Sequence, residues 1–309
     1  MEADISILRK TGHFYFALTP RNDGLKYSRM SAAHRRKPKM ESPILEHYGK
    51  EFAERDRLEK YAQLEFFRTK EIISRHLPKK PTVVLDIGGG PGHYALWLAK
   101  LGHSACLVDP VPLHVRQAED AFRSAGQKRK ATATVGDARN LQFEDATAGA
   151  VLLLGPLYHL VKRADRVKAL SEAWRALKPG GWLFAAVISR FASAFDGLFR
   201  NFAQDPAFFR ILQQDLRNGQ HRNPAKNPRY FTTAFFHHPD ELRNEVEAAG
   251  FGPPKLYGLE GPGWLMPDLG DVWSDRESRE RLLAIVRAME REPTLIGQSA
   301  HILAVARKR

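Results

Sequence analysis

The chain has 309 residues, of which 43% are hydrophobic, enough to bury the core of one large domain or of two smaller ones. Its single cysteine, Cys106, excludes a disulfide framework, a cysteine-based zinc site and a cysteine-ligated cluster, and favours a cytoplasmic location. The longest apolar run, residues 182–188, is too short to cross a bilayer, so no membrane partner is expected.

The net charge of +13 is unevenly distributed. Residues 1–40 contain nine Lys and Arg against three Asp and Glu, and include the basic cluster Arg35, Arg36 and Lys37. A basic arm of this kind could bind nucleic acid or anionic lipid. Because the segment has no sustained hydrophobic periodicity, it is predicted to be a disordered leader ahead of a folded domain that spans 41–309.

The spacing of apolar residues predicts a helix over 44–77 that ends at Pro78. A strand follows over 82–87, and then a glycine-rich turn and a helix that ends at Gly102. Further strands are predicted over 105–108, 132–135, 150–154, 182–188, 255–259 and 301–306, and further helices over 112–124, 162–177 and 239–249. Apolar strands that alternate with helices predict an α/β fold, a doubly wound, Rossmann-like and mainly parallel sheet.

Two segments interrupt this alternation, residues 190–236 and residues 261–298. Insertions near strand ends often shape substrate pockets. Ten aromatic residues lie in 191–236: Phe191, Phe195, Phe199, Phe202, Phe208, Phe209, Tyr230, Phe231, Phe235 and Phe236. The enrichment fits a helical lid over an apolar or planar substrate, or a helical subdomain with a small core of its own.

The glycine-rich turn carries the most specific motif. Asp86 lies next to last in the first strand, and Gly88, Gly90 and Gly92 complete the pattern D-x-G-x-G-x-G. Glycine adopts positive φ without strain and lets backbone N–H groups approach a ligand closely at the start of a helix. The turn fits S-adenosylmethionine (SAM), but Gly90, Gly92 and Ala95 also fit the G-x-G-x-x-A fingerprint of a nicotinamide dinucleotide.

Acidic residues after the next two strands help to choose between these cofactors. Asp109 follows the second strand and could hold ribose hydroxyls in either class. Asp137, followed by Ala138, comes after the third strand at the same sheet edge, where it could accept a hydrogen bond from an adenine amino group. This acid and the turn over 177–181 favour SAM.

With these motifs in this order, the chain resembles the class I SAM-dependent methyltransferases, among them the bacterial small-molecule enzymes. The resemblance implies a seven-stranded sheet whose last strand is antiparallel, and SAM as the cofactor. It also implies that the loop glycines line the methionine end of SAM, that Asp109 holds the ribose, and that Asp137 holds the adenine. The residues expected to bind the cofactor are Asp86, Gly88, Gly89, Gly90, Gly92, Asp109, Asp137, Ala138 and Leu154.

Methyl transfer from a sulfonium needs mostly orientation and desolvation, and a base only when the acceptor carries a proton near its pKa. Tyr158 and His159 follow the fourth strand as candidate catalytic residues, with His159 as the general base. The residues expected to face the acceptor are Tyr48, Arg190, Phe191 and Phe195. No acid or histidine cluster has the spacing of metal ligands, so no metal is expected.

These patterns predict methyl transfer to a small, aromatic or apolar acceptor. Methylation of RNA or protein, SAM binding without catalysis, and a dinucleotide oxidoreductase are the alternatives. A nucleic-acid partner is disfavoured because residues 155–158 read Gly-Pro-Leu-Tyr, whereas amino methylation of bases commonly uses Asp/Asn-Pro-Pro-Tyr at this position. The patterns predict no oligomeric state.

Overall fold

The computed structural model describes residue 58, residues 62–227 and residues 230–309. Within them a central sheet of seven strands has the order β3-β2-β1-β4-β5-β9-β8. Strand β9 is antiparallel to both β5 and β8, and the other pairs are parallel, which confirms the predicted sheet. The strands are β1 Val83–Ile87, β2 Ser104–Asp109, β3 Ala131–Val135, β4 Ala148–Leu153, β5 Leu177–Ile188, β8 Lys255–Gly258 and β9 His301–Arg307.

Helices cover both faces of this sheet. The α-helices of the described residues are α1 Gln63–His76, α2 His93–Lys100, α3 Pro112–Ser124, α4 Pro156–His159, α5 Arg163–Ala176, α6 Ala192–Phe199, α7 Pro206–Asn218, α8 Pro239–Ala248, α9 Leu269–Ser274 and α10 Arg276–Met289. Successive residues of β1 point to opposite faces, so Val84 packs in one apolar cluster and Leu85 in the other. Burial on both faces explains why the strands are apolar throughout rather than alternating.

The observed bounds agree with the predicted ones to within a few residues, with three differences. Strand β5 begins at Leu177, not at residue 182, because residues 178–181 form an irregularity within the strand and pair with the end of the chain: Gly180 N–H donates to Lys308 O at 2.8 Å. The short helix α4 was not predicted. Within the helix expected over 44–77, the α-helix that the structure describes is α1, Gln63–His76.

The segment 190–236, called the lid segment below, contains α6, α7 and a two-stranded sheet formed by β6 Gln220–His221 and β7 Ala234–Phe235. Phe208, Ile211, Leu212 and Tyr230 form a small apolar cluster inside it. Some of the aromatic residues of the lid segment therefore form a small hydrophobic core of their own.

The segment 261–298 packs α10 against α1 through Leu64, Leu282, Leu283 and Val286. The buried Arg68 of α1 bonds Glu71 and Glu290, so a network of ion pairs fastens this helix to the rest of the fold. The predicted leader over 1–40 and Tyr48 lie outside the described residues. Among the residues that are described, no helix has the length and apolar character needed to span a bilayer.

Candidate functional site

The strand order reverses between β1 and β4, the point where open α/β sheets bind ligands beyond the carboxyl ends of their strands. The glycine-rich turn follows β1, and α4 follows β4, so the two segments border this crevice. They touch directly: a Cβ added at Gly88 would lie 2.6 Å from Pro156 Cγ. The fold thus brings the predicted cofactor loop beside the predicted catalytic residues.

The loop glycines are required for different reasons. Gly88, with φ +70°, lies against Pro156, and Gly92, with φ +90°, is so close to α3 that a Cβ would meet Ala118 Cβ at 2.9 Å. Gly90 has φ +55°, but a Cβ there would meet no described atom within 4 Å. Gly90 therefore marks the open part of the turn, where a ligand can reach the backbone.

Asp86 is a buried carboxyl group directly beneath this turn. Its Oδ2 accepts a hydrogen bond from Ala95 N–H at 3.1 Å, and a Cβ at Gly89 would lie 2.5 Å from the same oxygen. Nothing in the described chain hydrogen-bonds Asp86 Oδ1. Burial, with the charge of Asp109 as a further contribution, raises the pKa of Asp86 to about 7. The group can therefore carry a proton at physiological pH.

Asp109 joins the turn to α3. Its Oδ2 accepts the Gly90 N–H at 2.9 Å, and its Oδ1 accepts the Val111 N–H at 2.9 Å and lies 3.2 Å from His114 Nδ1. A carboxylate that accepts these bonds is fixed in place, beside the open position at Gly90. His114 is a part of this arrangement that the sequence reasoning missed, since a histidine five residues after the acid carries no recognised signal.

Asp137 lies one strand further along the same edge, where Gly136 N–H donates to Asp109 O. Its carboxylate is held by Arg139, with Nη2 to Oδ2 at 2.6 Å and Nε to Oδ1 at 2.9 Å. Arg139 also reaches Asp165. The sequence reasoning did not foresee this pairing, which leaves Asp137 fewer acceptor positions for an adenine than expected. Ala138 packs against the core on one face of the sheet and Leu154 against the core on the other.

These groups fit SAM better than a dinucleotide. A pyrophosphate needs unengaged N–H donors at the glycine turn, whereas here the Gly90 N–H is already bonded by a carboxylate. SAM carries no phosphate, has ribose hydroxyls that can donate to Asp109, and brings a positive charge. The open space at Gly90 leaves room for such a ligand.

Aromatic rings cluster around α4, which borders the crevice on the side opposite the glycine-rich turn. The rings of Tyr158 and His159 lie 4.6 Å apart, and Phe231 of the lid segment stacks on His159 with ring centroids at 6.0 Å. Phe236 stacks in turn on His221 at 4.7 Å. The structure therefore joins the two predicted catalytic residues to aromatic residues of the lid segment.

Arg190 differs from its expected role as a substrate contact. Its Nε donates to Phe236 O at 3.0 Å and its Nη2 contacts Glu241 at 2.5 Å, so the buried guanidinium is engaged within the protein. Phe191 packs against Gly297 and the ring of His238, and Phe195 is half-buried on α6. These contacts do not bring Phe191 or Phe195, both expected to face the acceptor, next to the glycine turn.

The two neighbouring histidines before α8 have separate roles. His238 caps the helix, accepting the Asp240 N–H at 3.3 Å. His237 is instead fully buried and lies 3.3 Å from Glu245. Burial lowers the pKa of His237 and thus favours its neutral form.

A further cluster contradicts the expectation that no acids and histidines come together at ligand spacing. One side-chain donor atom each from Glu65, Glu260 and His301 lie within 4.8 Å of one another. His301 Nδ1 is 2.7 Å from Glu260 Oε1, and Ser299 Oγ donates to Glu260 Oε2. The three residues are far apart in sequence, so no local spacing could have revealed them. Contacts between His301 and the two glutamates make this cluster a buried ion-pair network, which explains how these polar groups can be buried together.

Comparison with known proteins finds similarity to methyltransferases. Residues 84–181 match a family described as a methyltransferase domain. The chain is 29% identical over 186 residues to the ubiquinone/menaquinone biosynthesis C-methyltransferase UbiE of Haemophilus ducreyi, covering 59% of this chain and 68% of that protein. It is 33% identical over 103 residues to norajmaline N-methyltransferase of Rauvolfia serpentina, covering 33% of this chain and 34% of the relative.

Among solved structures, a SAM-dependent methyltransferase from Methanosarcina mazei has the same fold. It superposes with a TM-score of 0.52 at 21% identity, over 77% of this chain and 96% of that one. At this identity the likeness concerns the fold alone.

Proposed function

We propose that this class I SAM-dependent methyltransferase acts on a small, aromatic or apolar acceptor held between α4 and the lid segment. The observation that carries the proposal is the wall formed by Tyr158, His159 and Phe231 beside the glycine turn. Flat rings offer stacking and a dry surface to a planar acceptor, which charged side chains would not. His159 supplies the imidazole of this wall.

The cofactor side of the proposal assigns a task to each fixed group. Each carboxylate oxygen of Asp109 accepts one backbone N–H, from Gly90 or from Val111. Asp109 binds the ribose hydroxyls with the lone pairs that these hydrogen bonds leave unused. The backbone at Gly88 and Gly90 lines the methionine end. When bound, SAM supplies a methyl group already activated on a sulfonium. Asp137 is the adenine-side residue, with part of its acceptor capacity used by Arg139.

On the acceptor side, Tyr158 and Phe231 exclude water and hold the acceptor flat. His159 would take the proton that the acceptor heteroatom or carbon acid loses on methylation, while SAM would supply the methyl group and leave as S-adenosylhomocysteine. A neutral imidazole has the free nitrogen lone pair that this role requires. Orientation and desolvation supply most of the remaining acceleration.

The names of two relatives are compatible with a cyclic acceptor. One relative is a quinone-biosynthesis C-methyltransferase and the other an N-methyltransferase of norajmaline. Both names therefore support a cyclic acceptor. Because one relative methylates carbon and the other nitrogen, the names leave the reacting atom of the acceptor open.

Turnover of a mixed panel of hydroquinones, phenols and cyclic amines tests the proposal, with formation of S-adenosylhomocysteine as the readout. We expect His159→Gln to lower kcat by about 10²-fold or more, the usual contribution of a positioned base, with SAM affinity unchanged. His238→Gln, at a half-exposed helix cap, is the matched control and should keep full activity.

Three outcomes would count against the proposal. Full activity of His159→Gln would remove it as the base. Product formed only on RNA or on protein would assign a macromolecular acceptor. Tight SAM binding without any turnover on the panel, on RNA or on protein would favour a protein that keeps SAM without catalysis.

A further inference from the structure

The outward face of the lid segment exposes an unusual share of apolar surface. Four of the eight exposed large hydrophobic residues in the described part of the chain lie on α6 and α7. Their relative exposures are 73% for Leu198, 47% for Phe199, 46% for Phe209 and 43% for Leu216. Single exposed apolar residues need no explanation, but a group on two adjoining helices does.

Helix α7 is two-sided. Its inner face buries Phe208, Ile211 and Leu212, whereas Phe209 and Leu216, seven residues apart, form an exposed apolar stripe along one flank of that face. Arg210 and Arg217, each one residue further along, form a second exposed stripe, which is cationic and lies about 100° around the helix from the apolar one. Arg210, Leu216 and Arg217 also border one shallow surface depression.

The three acidic residues of the lid segment are all engaged by other groups of that segment. Asp196 pairs with Arg200, Asp205 accepts the Tyr230 hydroxyl and the Ala207 N–H, and Asp215 accepts the Ser193 hydroxyl. The sequence of 190–236 contains no other Asp or Glu. On the described outer face of α6 and α7, apolar and cationic side chains are therefore not offset by any carboxylate.

We propose that this outer face of α6 and α7 docks on the surface of an anionic phospholipid bilayer. A helix that lies in a membrane interface combines Phe and Leu, which enter the headgroup boundary, with Arg, which pairs with lipid phosphates. The absence of a neutralising acid on the described face gives the charge complementarity. The contact is peripheral, which differs from the sequence expectation of no membrane partner.

Membrane docking also narrows the acceptor class. This step rests on the proposed function, because Phe231 of the same lid segment stacks on His159 in the aromatic wall. A lid that rests on a bilayer would take its acceptor from the lipid phase. The acceptor is therefore a lipophilic molecule, with the reacting ring at its polar end.

Vesicle flotation of the full chain tests the docking. The vesicles are phosphatidylcholine alone or phosphatidylcholine mixed with phosphatidylglycerol, at low and at high salt. We expect binding to the anionic vesicles only, weakened by salt. Phe209→Ser with Leu216→Ser, and separately Arg210→Gln with Arg217→Gln, should each lower the vesicle partition constant about tenfold.

Ile285→Ser on α10 is the matched control, because Ile285 is 57% exposed on another helix, and it should bind vesicles like the unaltered chain. SAM affinity should be unchanged in all of these variants, which separates docking from the methyltransferase site. Equal vesicle binding by the lid variants would overturn the proposal.

Two further results would reassign the surface. Loss of binding only after Arg35, Arg36 and Lys37 are changed to Gln would place the lipid contact in the leader. No vesicle binding, together with a dimer that Phe209→Ser with Leu216→Ser dissociates in light scattering, would assign the face to a second copy of the chain. Turnover of water-dispersed acceptors tests the proposed function independently of either result.

Discussion

Three glycines with similar backbone angles allow the cofactor contact to be separated from backbone strain. Gly88, Gly90 and Gly126 have φ of +70°, +55° and +68°. A Cβ at Gly126, an exposed position after α3, would meet no described atom within 4 Å, as at Gly90, whereas at Gly88 it would strike Pro156. Alanine at each position therefore adds the same strain and differs only in what the new methyl group meets.

The expected losses follow from that difference. A left-handed conformation costs a non-glycine residue about 1–2 kcal/mol, so Gly126→Ala and Gly90→Ala should lower the free energy of unfolding by about that amount. Gly88→Ala should lose a further ~1–3 kcal/mol, because its methyl group would lie 2.6 Å from Pro156 Cγ. Urea unfolding of the three variants measures these differences.

The order of the glycine variants in SAM affinity should differ from their order in the free energy of unfolding. Gly90→Ala places a methyl group in the space assigned to the cofactor, so we expect calorimetry to show SAM affinity reduced at least about tenfold, or ~1.4 kcal/mol. Gly126→Ala, equally destabilised, should bind SAM normally. Equal SAM affinities for Gly90→Ala and Gly126→Ala would refute the reasoning that the open side of Gly90 faces the cofactor.

Two other changes test buried charges. Burial raises the pKa of Asp86 from 3.8 to about 7. The contribution of its protonated form to folding stability is therefore fully present below about pH 4 and is lost as the pH rises to 7. Asp86→Asn should remove that loss, worth up to about 4 kcal/mol, so the stability of the variant relative to the unaltered chain should rise between about pH 4 and pH 7 in urea unfolding; parallel pH profiles would contradict this. Arg190→Ala breaks the Glu241 pair and leaves Phe236 O without its donor, so the melting temperature should fall. An unchanged melting temperature combined with weaker acceptor binding would restore Arg190 as a substrate contact.

Local pattern was enough to predict the elements that position the cofactor. One continuous segment of sequence contains the apolar run of β1, the acid and the closely spaced glycines. The glycine spacing predicts a tight turn, because only glycine adopts the required backbone angles without strain. Alternation of strands and helices then fixed a parallel sheet, so the carboxyl ends of β1 and β2 had to be neighbours.

Side-chain pairing across the fold was beyond such reasoning. Arg190 has a carboxylate partner 51 residues away, and Glu260 meets His301 only because β8 and β9 pair at the sheet edge. The sequence marks these residues as charged or titratable but not as paired. It likewise could not divide the aromatic residues of the lid segment between its own core, around Phe208, and the wall at Phe231.

The central claim is that the turn after β1 holds a sulfonium nucleoside. Isothermal titration of the full chain with SAM, S-adenosylhomocysteine and NADH tests it most directly, with Asp109→Ala beside the unaltered chain. The account predicts saturable heat with SAM and S-adenosylhomocysteine, at least about tenfold weaker binding in Asp109→Ala, and no heat with NADH. Saturable binding of NADH, with none of either adenosyl compound, would contradict it.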